Sequence, residues 1–164
     1  MRWLLLGLML VAACGDDYLR REVRVLYAPE SATALLTLTG PIVTSRFPDS
    51  EAASTRTDAS VFVIDLTDTA LSYRQFIPIV ATYDEPSLTV TGPIASVPCR
   101  AGEYAFVILD NVRDAEDSRI GRSGEFDRAF EGDGPFGELR ASLVQVGVEL
   151  ASVAGATHFA VSCP

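Results

Sequence analysis

Glu103-Tyr104-Ala105-Phe106-Val107-Ile108-Leu109 is the most strand-like stretch of the chain, because aromatic and aliphatic residues follow one another without a break. Residues of this kind fit the pleated surface of a β-sheet. The run Val61-Phe62-Val63-Ile64-Asp65-Leu66 has the same character and predicts a second buried strand. Shorter apolar runs elsewhere end at Gly-Pro pairs, which are turn signals. The sequence therefore predicts a mainly β domain, folded as an antiparallel β-sandwich.

Further candidate strands surround these two runs, and two of the segments resemble each other. Residues 36–43 read LTLTGPIV and residues 88–95 read LTVTGPIA, so six of eight positions match. They could mark two similar halves of one sandwich, or Gly-Pro turns that recur by chance after threonine-rich strands. The other candidate strands cover residues 23–27, 33–39, 75–83, 87–91 and 156–162.

The region 138–154 fits two patterns. Val144, Val146 and Val148 alternate with polar or small residues, as in a strand. The same region also carries an apolar stripe at helical spacing, with Gly155 as a possible stop. Because the neighbouring segments are strands, we expect a strand here. The alternative is an α+β fold with a helix at about 138–154.

A long acidic loop is predicted over residues 110–137, which is far longer than the usual connections in compact domains. Ser123 could cap a short helix that carries Phe126 and Phe130 and ends at Gly132. The loop could bind calcium, bind a partner, or be a solvated segment whose carboxylates pair with Arg113 and Arg119. The calcium ligands would be Asp110, Asp114, Glu116 and Asp117.

The N-terminus has the layout of a secretory signal, with Arg2 followed by a short apolar run that is too short to span a membrane. The run ends in Leu10-Val11-Ala12-Ala13-Cys14, which resembles the lipobox of bacterial lipoproteins. The resemblance implies a signal peptide at residues 1–13, acylation of Cys14, a lipidated tether at 14–21 and a single domain at 22–164. Gly15 rather than aspartate after the cysteine implies the outer membrane, facing the periplasm.

Composition excludes several classes of function. Loss of Arg2 with the signal would leave a net charge of −10, which argues against nucleic-acid binding. The chain has no lysine, so Walker A, pyridoxal and S-x-x-K chemistry are excluded. Its one histidine, His158, is expected at a strand edge or facing solvent. We expect no cofactor, and no enzyme unless paired acids such as Asp65 with Asp68 or Asp84 with Glu85 form a carboxylate-dependent hydrolase.

Two cysteines remain after Cys14, and they predict one disulfide in an exported protein. Cys99 precedes the strand 103–109, and Cys163 follows the strand 156–162. If the two strands are antiparallel neighbours, the start of one lies beside the end of the other. A Cys99–Cys163 bridge could then form there.

Residues 97–107, with the sequence VPCRAGEYAFV, resemble the P-x-G-x-Y-x-V strand entry of transthyretin-like and Cna-B-like sandwich modules. The following acidic loop lies in a similar place, but DNVRDAED at 110–117 replaces the Asn/Gly-rich run of those modules. Such modules are stalks, adaptors and binding domains more often than enzymes. This resemblance implies a structural role or a ligand- or partner-binding role, and together with the lipobox it implies a lipid-anchored envelope protein.

Overall fold

A computed structural model describes residues 22–28, 30, 33–67, 76–92, 101–132 and 134–162 of the chain. Within these residues strand predominates over helix, at 36% against 23%, so the prediction of a mainly β fold is confirmed. The helices are α1 (Glu51–Ser54), α2 (Gly124–Glu131) and α3 (Gly137–Val146), with two short 3₁₀ helices at Thr44–Arg46 and Leu150–Ser152. The strands are β1 (Arg24–Val25), β2 (Leu35–Thr37), β3 (Ile42–Val43), β4 (Val61–Asp65), β5 (Phe76–Ile77), β6 (Thr82–Asp84), β7 (Thr89–Thr91), β8 (Gly102–Leu109), β9 (Arg113–Asp114), β10 (Gly121–Arg122) and β11 (Val153–Val161).

The central sheet has four antiparallel strands in the order β11-β8-β4-β5. The two apolar runs of the sequence, β4 and β8, are its inner strands, as their composition predicts. β8 pairs with β11 over its whole length, and Gly102 lies opposite Val161 at one end of the pair. The predicted strands 103–109 and 156–162 are therefore antiparallel neighbours. Cys14, Cys99 and Cys163 all lie outside the described residues.

A second antiparallel sheet has the order β2-β7-β6. Its first two strands belong to the matching segments 36–43 and 88–95, and Leu36 lies directly opposite Val90. The similar sequences thus form neighbouring strands of one sheet. Gly92 directly follows β7, and a Cβ atom there would lie 2.8 Å from the ring of Phe106, so the close contact requires glycine.

Both faces of the central sheet are buried, and each belongs to a different apolar cluster. The first cluster joins Val63 and Phe106 to residues of the second sheet, such as Leu36 and Val90. The second cluster contains the residues of the central strands that alternate with those of the first cluster, and these residues pack against side chains of α2 and α3. Its largest members are Phe62, Ile64, Phe126, Phe130, Phe136, Leu139 and Leu143. The helices therefore form a layer over one face of the sheet, which we call the helical layer.

The prediction of a strand within 138–154 is wrong for its first part, where α3 forms. Leu139 and Leu143 are fully buried in the second cluster, whereas the side chain of Val144 is 62% exposed. The helix ends at Gly147, which adopts a left-handed φ of 83°. The alternative of a helix at 138–154 is thus correct only up to Val146, and β11 begins at Val153, before the predicted stop at Gly155.

The prediction of a long acidic loop over 110–137 is wrong in part, because two short strands and a helix interrupt the segment. A tight turn leads into β9 and β10, and α2 follows. The expected cap is confirmed, since the Ser123 hydroxyl accepts a hydrogen bond from the Phe126 N–H at 3.1 Å. Phe126 and Phe130 are buried and stack at 5.1 Å, and Gly132 ends the helix. These two rings tie the segment to the sheet.

Among the described residues, no helix is long and apolar enough to cross a membrane.

Candidate functional site

The four predicted calcium ligands lie in the turn between β8 and β10, but they do not converge. Asp110 pairs with Arg119 at 2.9 Å, and Asp117 lies 4.0 Å from Arg113. Among the described residues, no group of three or more histidine, cysteine, aspartate or glutamate side chains is placed to hold a metal ion. The calcium site stays a prediction, and this geometry gives it no support.

The buried side chain of Asp114 stabilises the backbone of that turn. It is 5% exposed, and one carboxylate oxygen accepts hydrogen bonds from the N–H groups of Glu116 (3.0 Å) and Ser118 (2.7 Å). Asp117 follows with a left-handed φ of 61°, a conformation that aspartate tolerates better than most residues. The carboxylate therefore replaces missing backbone partners in a tight turn. Its neighbours Glu116 and Asp117 remain exposed at the surface. We call residues 110–119 the acidic turn.

The structure describes one of the two carboxylate pairs that could have supported hydrolysis, and only one member of the other. Asp65 is buried at the end of β4, where it accepts a hydrogen bond from the Thr67 N–H at 2.8 Å. Asp68 lies outside the described residues. Asp84, the last residue of β6, and Glu85, the first residue of the following turn, are both exposed, and the Ser87 hydroxyl donates to Asp84. The hydrolase alternative therefore gains no geometric support.

His158 lies on β11, which is an edge strand of the central sheet, as expected. Its neighbour Phe159 faces the first cluster, where its ring stacks on Tyr104 at 5.6 Å. His158 points to the opposite face, where the centre of its ring lies 5.0 Å from the centre of the Phe136 ring in a T-shaped arrangement. The imidazole is thus half-buried: the helical layer covers part of it, and part of it lines a shallow surface cavity. Strand alternation combined with a helix over the second face produces this burial.

Carboxylates surround this imidazole. A shallow cavity of about 300 Å³ at the edge of β11 is lined by Glu30, Glu103, His158, Phe159 and Ala160. Burial lowers the pKa of His158 below its ordinary value of 6.5, and the charges of Glu103, Glu138 and Glu30 oppose the shift. The Nε2 atom is buried without a hydrogen-bond partner. At neutral pH this geometry therefore holds an uncharged imidazole beside acidic groups.

Arg122 is the most connected charged residue that the structure describes. Its Nε donates to the Val153 carbonyl at 2.6 Å, and a terminal nitrogen donates to the Leu150 carbonyl. Another nitrogen pairs with Asp127 of α2 at 3.0 Å, and the guanidinium lies 5.0 Å from the centre of the Phe130 ring. These contacts join β10, α2 and the start of β11. Arg122 therefore has a structural role in joining these elements.

Comparison with protein-family models, with curated proteins and with solved structures found no significant match.

Sequence reasoning missed Phe136 and Arg122 as organising residues. Phe136 precedes α3 and contacts the rings of Phe126 (5.2 Å) and Phe130 (5.9 Å). An aromatic residue shortly after two phenylalanines at helical spacing was an available signal. The sequence signal for Arg122 was weaker, because the only link between Arg122 and α2 in the sequence is its position next to the Ser123 cap.

Proposed function

We propose that the chain is an exported bacterial lipoprotein, anchored through Cys14 to the cell envelope, with a structural or partner-binding domain. Leu10-Val11-Ala12-Ala13-Cys14, behind the apolar run from Trp3, is the observation that carries the proposal. Acylation of Cys14 would place the domain on the outer membrane, facing the periplasm. On this proposal the two antiparallel sheets are the layers of a β-sandwich, with the helical layer on its outside.

The start of the folded domain is consistent with such an anchor. The first strand begins at Arg24, ten residues after Cys14 in the sequence. Glu22, at the start of the described chain, is exposed and pairs with Arg24 at 3.3 Å. A short polar tether at 14–21 would therefore reach the domain at its surface, and no buried residue would have to leave the core.

The acidic turn is the surface that best suits a partner-binding role. Binding residues are often carried on loops that a rigid scaffold positions. Here the buried Asp114 fixes the backbone, while Glu116 and Asp117 project at the surface. The carboxylates and the negative net charge favour a partner with a basic surface, and they disfavour nucleic acid.

Cys14→Ser should release the protein from the membrane. A single acyl chain holds a protein only marginally, at about 0.8 kcal/mol per buried CH₂, and stable attachment needs two or more chains. Without the acylated cysteine, no lipid signal remains. Fractionation of cells that express the wild type should find it in the membrane pellet, and the Cys14→Ser protein should leave that pellet. Cys99→Ser is the matched control and should stay with the membrane; equal pelleting of Cys14→Ser and wild type would contradict the anchor.

We also expect Cys99 and Cys163 to form a disulfide in the exported protein. Gly102 lies opposite Val161 in the β8–β11 pair, and Cys99 and Cys163 are three and two residues beyond this end in the sequence. Thiol titration of the unfolded, unreduced mature protein should find neither of these cysteines free, and reduction should expose two thiols. Two reactive thiols before reduction would exclude the bridge.

A further inference from the structure

His158 lies where the central sheet meets the helical layer. Its ring packs edge-on against Phe136, with an interplanar angle of 70°. Phe136 directly precedes α3 and also contacts Phe126 and Phe130 of α2, as well as Tyr27 at 6.4 Å. The imidazole thus contacts an aromatic ring that also contacts α2 and the segment after β1 and that directly precedes α3.

The neutral and protonated forms of His158 suit this place differently. A neutral imidazole has one N–H donor and one acceptor nitrogen, whereas the protonated ring has two donors and a positive charge. Nε2 is buried and has no hydrogen-bond partner in the structure, so a proton there would be left unsolvated. Burial of Nε2 beside Phe136, with no acceptor for a second N–H, therefore favours the neutral ring.

The charged groups around the ring act in the opposite direction. Among the described residues these are Glu103 on β8, Glu138 in the first turn of α3 and Glu30, whose backbone bridges to His158. All three favour a protonated imidazole, but burial is the larger effect and lowers the pKa of the ring. A protonated ring that leaves its contact with Phe136 would therefore still have three carboxylates nearby to stabilise its positive charge.

We propose that His158 is a pH-sensitive latch, which holds the helical layer against the central sheet while the imidazole is neutral and loosens it on protonation. The proposal is independent of the lipid anchor and of any partner. Because the folded-state pKa lies below the ordinary value of 6.5, the latch is fully closed above pH 6.5. Its contribution is lost as the pH falls below 6.5 towards the folded-state pKa. Release of Phe136 would expose part of the second apolar cluster at mildly acidic pH.

Residue-resolved hydrogen exchange and imidazole NMR on the mature, full-length protein in detergent micelles test the latch. The single imidazole should titrate with a midpoint below pH 6.5. Exchange protection of α3 amides, corrected for the intrinsic rate, should fall by up to about tenfold per pH unit in that range, because one proton is taken up. Amides of β4, at the centre of the sheet, should keep their protection.

His158→Phe and His158→Gln provide two controls that cannot titrate, one apolar and one polar. Either variant that folds should show α3 protection that is flat between pH 6.5 and 5.5. An imidazole midpoint at or above 6.5, unchanged α3 protection in the wild type, the same pH dependence in the variants, or an equal loss of protection in β4 would each overturn the proposal.

Discussion

Arg122→Ala should lower the free energy of unfolding by about 3 kcal/mol, because the guanidinium satisfies backbone groups that no other described side chain is shown to reach. The carbonyls of Val153 and Leu150 would lose their hydrogen bonds to the guanidinium in a site where the arginine side chain is only 17% exposed, and Leu150 would keep only the bond from the Val153 N–H. The variant would also lose the contact with Phe130 and leave Asp127 without its partner. Urea denaturation at neutral pH, followed by circular dichroism, measures the effect.

Arg119→Ala is the matched control for Arg122→Ala. Arg119 also pairs with an aspartate at 2.9 Å, but its side chain is 63% exposed. Exposed pairs of this kind contribute only about 0–1 kcal/mol. The two arginines therefore separate the effect of a bridging guanidinium from the effect of charge alone. Equal unfolding free energies for the two variants would show that Arg122 does not hold the helical layer to β11.

Phe136→Ala should have the largest effect, about 4 kcal/mol, because it removes a fully buried ring from the centre of the helical layer. Its contacts with Phe126, Phe130 and Tyr27 would be replaced by a cavity that those rings can fill only partly. Thermal and urea unfolding both report the loss. Val144→Ala on α3 is the control, since that side chain is 62% exposed and should change stability by less than about 0.5 kcal/mol. A loss below 1 kcal/mol for Phe136→Ala would contradict the packing described for the second cluster.

The inner strands show what the sequence could predict. Residues 61–64 of β4 and 104–109 of β8 are continuous apolar runs, and every residue of β4 is buried. Antiparallel strands with one solvated face usually alternate apolar and polar residues. The lack of alternation therefore predicts that both faces of the sheet are buried. It does not predict whether a second sheet or a helix packs on each face.

The region around α3 shows why local pattern alone was insufficient. Three valines and a glycine disfavour a helix there by only about 1–2 kcal/mol in summed propensity. Burial of Leu139 and Leu143 against the second face of the sheet is worth more than that difference. Tertiary packing thus determines that a helix forms here rather than a strand. The local sequence of residues 138–154 carries no information about that packing.

The hydrogen bonds of Arg122 join it to residues that are distant in sequence. Its backbone acceptors, Leu150 and Val153, are 28 and 31 residues further along the chain. The burial of His158 likewise depends on Phe136, which belongs to a different element. No local sequence motif indicates either set of contacts. Predicting them would have required the positions of α2, α3 and β11 relative to one another.

The mass of the N-terminal peptide of the mature protein tests the central proposal most directly. Protein purified from the membranes of expressing cells should begin at Cys14 and carry the added mass of acyl chains on that residue, with residues 1–13 removed. Peptides that extend from Met1 through an unmodified Cys14, or a mature chain that begins at Cys14 without lipid, would contradict the proposal that this is a lipid-anchored envelope protein.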